Sequence, residues 1–186
     1  MNKKPIVSLS FENYSLYLQP RNQNHMKKFL LFTTSLVALL IVGACATTAE
    51  KAEREAARVR EVAAALADRH YQIDVRMMHP MRGKSKMLSY GYSVEVKGDT
   101  LVSYLPYFGR AYNVPYGGGK ALNFTAPIRG YREGRLKKGL TRIEIATQNE
   151  EDQYLYTLDI FDNGRATIDV VARERENIRF DGEMKQ

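Results

Sequence analysis

An α+β fold is predicted for this chain: one N-terminal amphipathic helix packed on a curled, mostly antiparallel sheet of about eight strands, with a partly open barrel among the forms it could take. Three observations predict it. Hydrophobic periodicity is helical before residue 70 and strand-like after it. The strand-like segments follow one another through short connections with no second helical stretch, so neighbours must run antiparallel. Nearly every strand also has a single apolar face, and eight strands about 4.8 Å apart spread to roughly 38 Å, against about 10 Å for one helix. One helix cannot cover such a sheet laid flat. The sheet must curl around the helix, close toward a barrel, or fold into two packed leaves.

Ahead of that domain stands "MKKFLLFTTSLVALLIVGAC", residues 26–45. Lys27 and Lys28 precede an apolar run from Phe29 to Val42, and small residues lead into Cys45. This is the grammar of a secretion signal, and the run is shorter than the roughly 20 residues a bilayer span needs. Val42-Gly43-Ala44-Cys45 resembles a lipobox, in which the cysteine sulfur takes a diacylglycerol after cleavage. Residues 26–44 are therefore expected to be a lipoprotein signal peptide, Cys45 its lipidation site, and 45–186 a single mature domain. Residues 1–25 are polar, carry Pro5 and Pro20, and end directly before Met26. They are expected to be a non-native extension.

Five of the 28 Lys and Arg and one of the 21 Asp and Glu lie in residues 1–44, which leaves 23 against 20 and a net charge of +3 for the mature domain. So small an excess does not call for a nucleic-acid partner, and no helix-turn-helix, zinc-finger or RNA-binding signature appears. Cys45 is the only cysteine, which excludes an intrachain disulfide and cysteine-ligated zinc.

The helix is read from "TTAEKAEREAARVREVAAALADRH". Ala52, Ala56, Val59, Ala63 and Leu66 recur at spacings of four, three, four and three, an apolar stripe expected to dock on the sheet. Thr47 and Glu50 have capping-box spacing, and Asp68-Arg69-His70 ends the pattern. From "YQIDVRMM" the period becomes two. The next pair, "LSYGYSVEV" and "TLVSYLPYF", is joined by Gly98-Asp99, as a type II′ turn wants. Positions summing to 197 then face each other: Val96, Val94, Tyr92 and Tyr90 meet Leu101, Ser103, Leu105 and Tyr107 on one face. In "YLYTLDIFDNGRATIDVVA" a three-residue loop, Asp162-Asn163-Gly164, pairs Ile160 with Ala166, Leu158 with Ile168, Tyr156 with Val170 and Tyr154 with Ala172. A two-residue loop would mix polar and apolar residues on one face, so the longer loop is predicted, with Gly164 left-handed. "LNFTAPIRG", "GLTRIEIAT" and "NIRFDGEM" complete eight strands.

No catalytic constellation stands out. "GGGK" lacks the glycine five residues earlier and the hydroxyl residue that a phosphate loop needs, so it reads as a loop tip. His70 and His79 have no carboxylates at a ligand spacing, and neither a metal nor a cofactor is expected. Two surface features remain. Pro106, which lacks a backbone donor, should loosen pairing, and Tyr104, Phe108, Arg110, Tyr112 and Tyr116 would either form an aromatic rim able to stack on a sugar or a partner side chain or be covered by another part of the curled sheet. Arg129, Arg132, Arg135, Lys137, Lys138 and Arg142 lie within fourteen residues of a hairpin end, a candidate patch for anionic headgroups or envelope polymers.

The block from "YQIDVRMMHPM" through "YSVEVKGDTLVSYLPYFGRAY" to "LNFTAP" resembles a family of lipoproteins from Bacteroidota catalogued as domain of unknown function 4251. Its most specific part is Gly98 to Tyr112. The resemblance covers nearly all of the mature chain; it implies a secreted or lipid-anchored α+β domain and supplies no catalytic residues to carry over.

The expected function is a non-catalytic, lipid-anchored cell-envelope domain that binds a ligand or partner. Ala-Thr-Thr-Ala after Cys45 lacks an acidic export cluster, which favours the periplasmic face of the outer membrane. The alternative is an envelope hydrolase acting on a cell-wall or glycan substrate. A closed cavity without converging polar groups would favour binding, and a cleft gathering His79, an Asp and a Ser would favour chemistry.

Overall fold

The computed structural model describes residues 48–113 and 119–185, and the domain belongs to the compact unit Glu50–Gln186. A helix, α1, spans 48–67. It is followed by β1 (His70–Pro80), β2 (Lys86–Met87), β3 (Ser93–Lys97), β4 (Thr100–Tyr104), β5 (Asn123–Lys137), β6 (Leu140–Gln148), β7 (Gln153–Phe161), β8 (Arg165–Ala172) and β9 (Ile178–Met184). Thr47, the expected helix cap, lies outside the described residues.

Helix α1 ends where the pattern ends. Arg69 adopts φ +50° and its N–H bonds the Leu66 carbonyl at 3.1 Å, while the Arg69 carbonyl accepts the Gly98 N–H at 2.8 Å. The last turn is thus closed by a left-handed residue and tied to the β3–β4 hairpin. The docking face differs from the expected stripe. Val62 and Leu66 are buried and Ala65 packs against them, while Ala52, Ala56 and Ala63 are exposed. An alanine methyl buries little area, whereas a buried Val or Leu contributes about 1.5–3 kcal/mol, so the helix turns Val62 and Leu66 inward and leaves Val59 of the expected stripe exposed. Arg58, on the same face, donates to the Met184 carbonyl.

Both hairpins take the register their patterns specify. Val94 faces Ser103 and Val96 faces Leu101; Ile160 faces Ala166, Leu158 faces Ile168, and Tyr154 faces Ala172. Gly98 and Gly164 have φ of +58° and +86°. The first ladder stops at Ser93 and Tyr104, so the expected pairs Tyr92–Leu105 and Tyr90–Tyr107 do not form: the chain leaves the sheet just before Pro106.

All neighbours are antiparallel, in the order β2-β1-β3-β4-β5-β6-β7-β8-β9, and β1 also pairs with β9. Eight strands therefore close a barrel, with β2 as a two-residue addition beside β1. The closing seam carries a bulge between Val75 and Met77. A Cβ on Gly182 would run into the Asp74 carbonyl there, so β9 approaches β1 this closely only with glycine. Side chains fill the interior: Ile73, Leu101, Leu105, Leu122, Tyr156 and Phe180 are among those fully buried.

Candidate functional site

The strand connections divide between two ends of the barrel. The short loops at 98–99, 138–139 and 162–164 share one end with the α1 C-terminus. The longer connections 81–92, 105–122, 149–152 and 173–177 share the other, the rim end.

At the rim end the chain buries charge. Asp152, Arg175 and Glu176 are all buried. The Asp152 carboxylate accepts the N–H groups of Gln153 at 2.7 Å, Arg173 at 3.0 Å and Glu174 at 3.1 Å. The Arg175 guanidinium donates to Glu151 at 2.9 Å; its Nε lies 3.9 Å from Asp152 and has no hydrogen-bond partner among the described residues. Glu176 pairs with Arg82 at 3.0 Å and accepts the Arg110 N–H at 3.1 Å. Tyr107 donates to the Arg110 and Glu176 carbonyls at 2.8 and 3.1 Å, and burial raises its pKa. Tyr112 N–H bonds the Glu174 carbonyl at 2.8 Å, and Glu176 N–H the Arg110 carbonyl at 3.0 Å. The cluster thus staples the 105–113 segment to the β8–β9 connection. Its carboxylates are occupied by donors, which suits a scaffold for the loop better than proton transfer. Sequence reasoning passed over these residues. Their trace is "NEED" before β7 and "RERE" after β8, two charged runs whose meeting depends on the barrel.

The rim side chains sit outside this staple. Tyr104, Phe108, Arg110 and Tyr112 are exposed, and Tyr116 lies outside the described residues. Tyr104 stacks on Tyr92 with centroids 5.5 Å apart, and the Lys86 ammonium stands 3.6 Å over the Phe108 ring. No carboxylate among the described residues pairs with the Arg110 guanidinium. Met81, Met87 and Tyr90 are exposed at the same end, so six of the eleven large apolar side chains exposed among the described residues fall between 81 and 112.

The basic segment does not form one free patch. Arg142 makes a two-pronged pair with Asp159 at 2.7 Å, which raises its pKa. Arg132 pairs with Glu144 at 3.1 Å and Arg135 with Asp162 at 2.8 Å. Neighbouring strands supply Glu144 and Asp159, and the β7–β8 turn supplies Asp162, none of which the sequence spacing could show. Arg129, Lys137 and Lys138 have no carboxylate partner among the described residues.

His79 and a serine and aspartate do meet. His79 Nε2 lies 2.8 Å from Asp181 Oδ2 and Nδ1 lies 2.7 Å from Ser85 Oγ. A carboxylate only accepts, so Nε2 carries a proton, and in the neutral ring Nδ1 accepts from the serine hydroxyl. The triplet lies on the outer wall rather than in a cleft, with the Asp181 side chain 51% exposed. His70 instead faces the Asp68 carbonyl at 2.9 Å.

Open grooves flank the barrel. One of about 500 Å³ runs along the start of β5 and is lined by Lys120, Asn123, Thr125, Arg129, Asn149 and Glu150 among others. One of about 670 Å³ lies between α1 and the turns at 139 and 161–163. Neither includes the Ser85–His79–Asp181 triplet.

A family model described as a domain of unknown function, DUF4251, matches residues 53–184. The fold is similar to the crystal structure of a DUF4251 family protein from Bacteroides eggerthii DSM 20697 at 1.95 Å resolution. The TM-score is 0.53 at 14% identity, over 70% of this chain and 90% of that one, and at that identity the likeness shows the fold alone. No curated protein matches.

Proposed function

The chain belongs to the DUF4251 family, and from that premise we propose that it is a lipid-anchored envelope domain that binds a partner or ligand at the rim end of its barrel. The observation that carries this reading is the concentration of exposed Met, Tyr and Phe side chains between Met81 and Tyr112, beside the carboxylate-free Arg110. Apolar side chains gathered on one end of a barrel whose interior is already filled cost solubility and return nothing to the core. A planar ring, such as a sugar face or an aromatic side chain, would stack on Tyr104, Phe108 and Tyr112, and Arg110 would hold an anionic group on it. The buried staple beneath supports the reading, because it keeps the segment in one conformation before anything binds.

Cys45 would tether the domain, and Ala-Thr-Thr-Ala after it, without an acidic export cluster, favours the periplasmic face of the outer membrane. Fatty-acid labelling is expected to mark the wild-type chain and not Cys45→Ser; equal labelling of both would remove the anchor. For the rim, Phe108→Ala and Tyr112→Ala are each expected to change stability by within about 0.5 kcal/mol while weakening capture of whatever co-purifies with the wild-type chain. Large stability losses with unchanged capture would remove the rim as a binding surface.

A second reading, an envelope hydrolase, is favoured by the Ser85–His79–Asp181 triplet alone, whose hydrogen bonds orient His79 as a general base for Ser85. It ranks second because Ser85 is exposed and water screens a pair held on an open wall. A fluorophosphonate probe separates the two readings. A Ser85 adduct lost in His79→Ala would support the hydrolase, and an unlabelled wild-type chain would eliminate it.

A further inference from the structure

We propose that β5, between Asn123 and Pro127, takes up an extended polypeptide segment of another chain as an added strand. This surface is separate from the aromatic rim and does not rest on the rim's role.

A closed barrel has no free sheet edge, yet the pairing around β5 leaves one. On one side, β4 pairs with β5 over Asn123–Pro127. On the other, β6 joins only at Ile128, opposite Thr147. Past Gln148 the chain turns away through 149–152 into β7, held by Asn149 Oδ1, which accepts the Glu151 and Asp152 N–H groups at 2.8 and 2.9 Å. Among the described residues, five residues of β5, about 17 Å of strand, therefore have a partner on one side only.

The direction of the backbone groups follows from three bonds. Ile128 N–H reaches the Asp99 carbonyl at 2.8 Å and the Leu122 carbonyl accepts the Leu105 N–H at 3.3 Å, so even-numbered residues here point toward β4. The Pro127 carbonyl accepts the Thr147 hydroxyl at 2.9 Å, so odd-numbered residues point to the vacant side. Asn123 N–H is used by the Lys120 carbonyl at 2.9 Å, and Pro127 has no N–H. The Asn123 carbonyl, the Thr125 N–H and the Thr125 carbonyl remain, without a partner among the described residues. One donor between two acceptors is the complement of an extended backbone, which is why a polypeptide strand is the occupant.

The space fits. The groove of about 500 Å³ lies along this edge. Phe124, stacked on Tyr154 at 4.7 Å between centroids, closes the gap behind it. Lys120, Arg129, Glu150 and Glu151 line the same groove; Glu151 is taken by the Arg175 guanidinium and the Lys120 N–H, which leaves two cationic side chains without a carboxylate partner among the described residues against the one carboxylate of Glu150. An acidic side chain on the added strand would meet them.

The test pans a random heptapeptide display library on the full chain, then titrates the enriched peptides against wild type, Thr125→Ala and Thr125→Pro. Alanine keeps the backbone donor and should bind within about twofold. Proline removes it at an edge position where the ring is tolerated, and should bind at least about tenfold more weakly. On the wild-type chain, where folding of the proline variant is not at issue, Thr125 N–H should exchange freely without peptide and slowly with it. Enriched peptides are expected to carry Asp or Glu, and Phe108→Ala should bind them like wild type. A library that yields no binder would overturn the proposal, as would a Thr125 amide already protected in the free chain. Peptides held equally by Thr125→Pro, or lost with Phe108→Ala instead, would overturn it too.

Discussion

Ser103 shows how one hydroxyl can matter more than its size. It is buried on β4, donates to the Leu122 carbonyl at 2.7 Å and accepts the Tyr156 hydroxyl at 3.0 Å. Two substitutions that break the same bond should therefore differ. Tyr156→Phe removes a donor and leaves Ser103 bonded to Leu122, for a loss of about 1 kcal/mol. Ser103→Ala leaves the Tyr156 hydroxyl buried without a partner and takes one of its two donors from the Leu122 carbonyl, which keeps the Leu105 N–H, for a loss of about 2–3 kcal/mol. Urea unfolding of both variants checks the order, and equal losses would mean that the interior rearranges to satisfy Tyr156.

Among the elements, α1 separates two roles that its composition blends. Its C-terminal turn is core, through Val62 and Leu66, while Ala56 and Ala63 face solvent. Leu66→Ala is expected to cost about 2–5 kcal/mol, and Ala63→Glu to stay within about 0.5 kcal/mol. Thermal melts of the two variants measure this. A large loss for Ala63→Glu would restore the alanine stripe as the docking face. The hairpins behave differently from the helix because parity along a strand assigns every side chain to a face, and a loop of known length then sets the register. That is why Leu158 could be matched to Ile168 from sequence, whereas the docked angle of α1 depended on a surface assembled from other strands.

For the whole molecule, burial acts on several tyrosines at once. Desolvation raises the pKa of Tyr71, Tyr107, Tyr131, Tyr154 and Tyr156, with Tyr71 and Tyr156 pushed above the ordinary phenol range. The unfolded chain releases these protons from about pH 10, while the folded chain keeps them. The unfolded state then binds fewer protons, so stability falls as pH rises. The contribution is fully present below pH 10 and is lost progressively above it, toward the raised folded values. Urea midpoints should be level from about pH 8 to 9 and decline from about pH 10, less steeply in Tyr156→Phe. A midpoint unchanged to pH 11 would contradict the burial of these phenols.

The amino-acid sequence alone left open whether Tyr104, Phe108 and Tyr112 were exposed or covered, while it determined the helix, the strand segments and the faces of each hairpin. All of these follow from local periodicity and turn residues, which act over a few positions. Tertiary structure decided what depended on distant partners. It closed β1 against β9, where Ile73 meets Met184 across the chain. It set Asp152 beside Arg175, and Asp159 beside Arg142, so that part of the basic segment is neutralised. It brought Ser85, His79 and Asp181 together on the outer wall, and it left β5 half-paired because β6 turns away after Gln148. The physical reason is that alternation along a strand records which face is buried, while the neighbour each strand receives is chosen by closing the whole sheet, a long-range condition that no short stretch encodes.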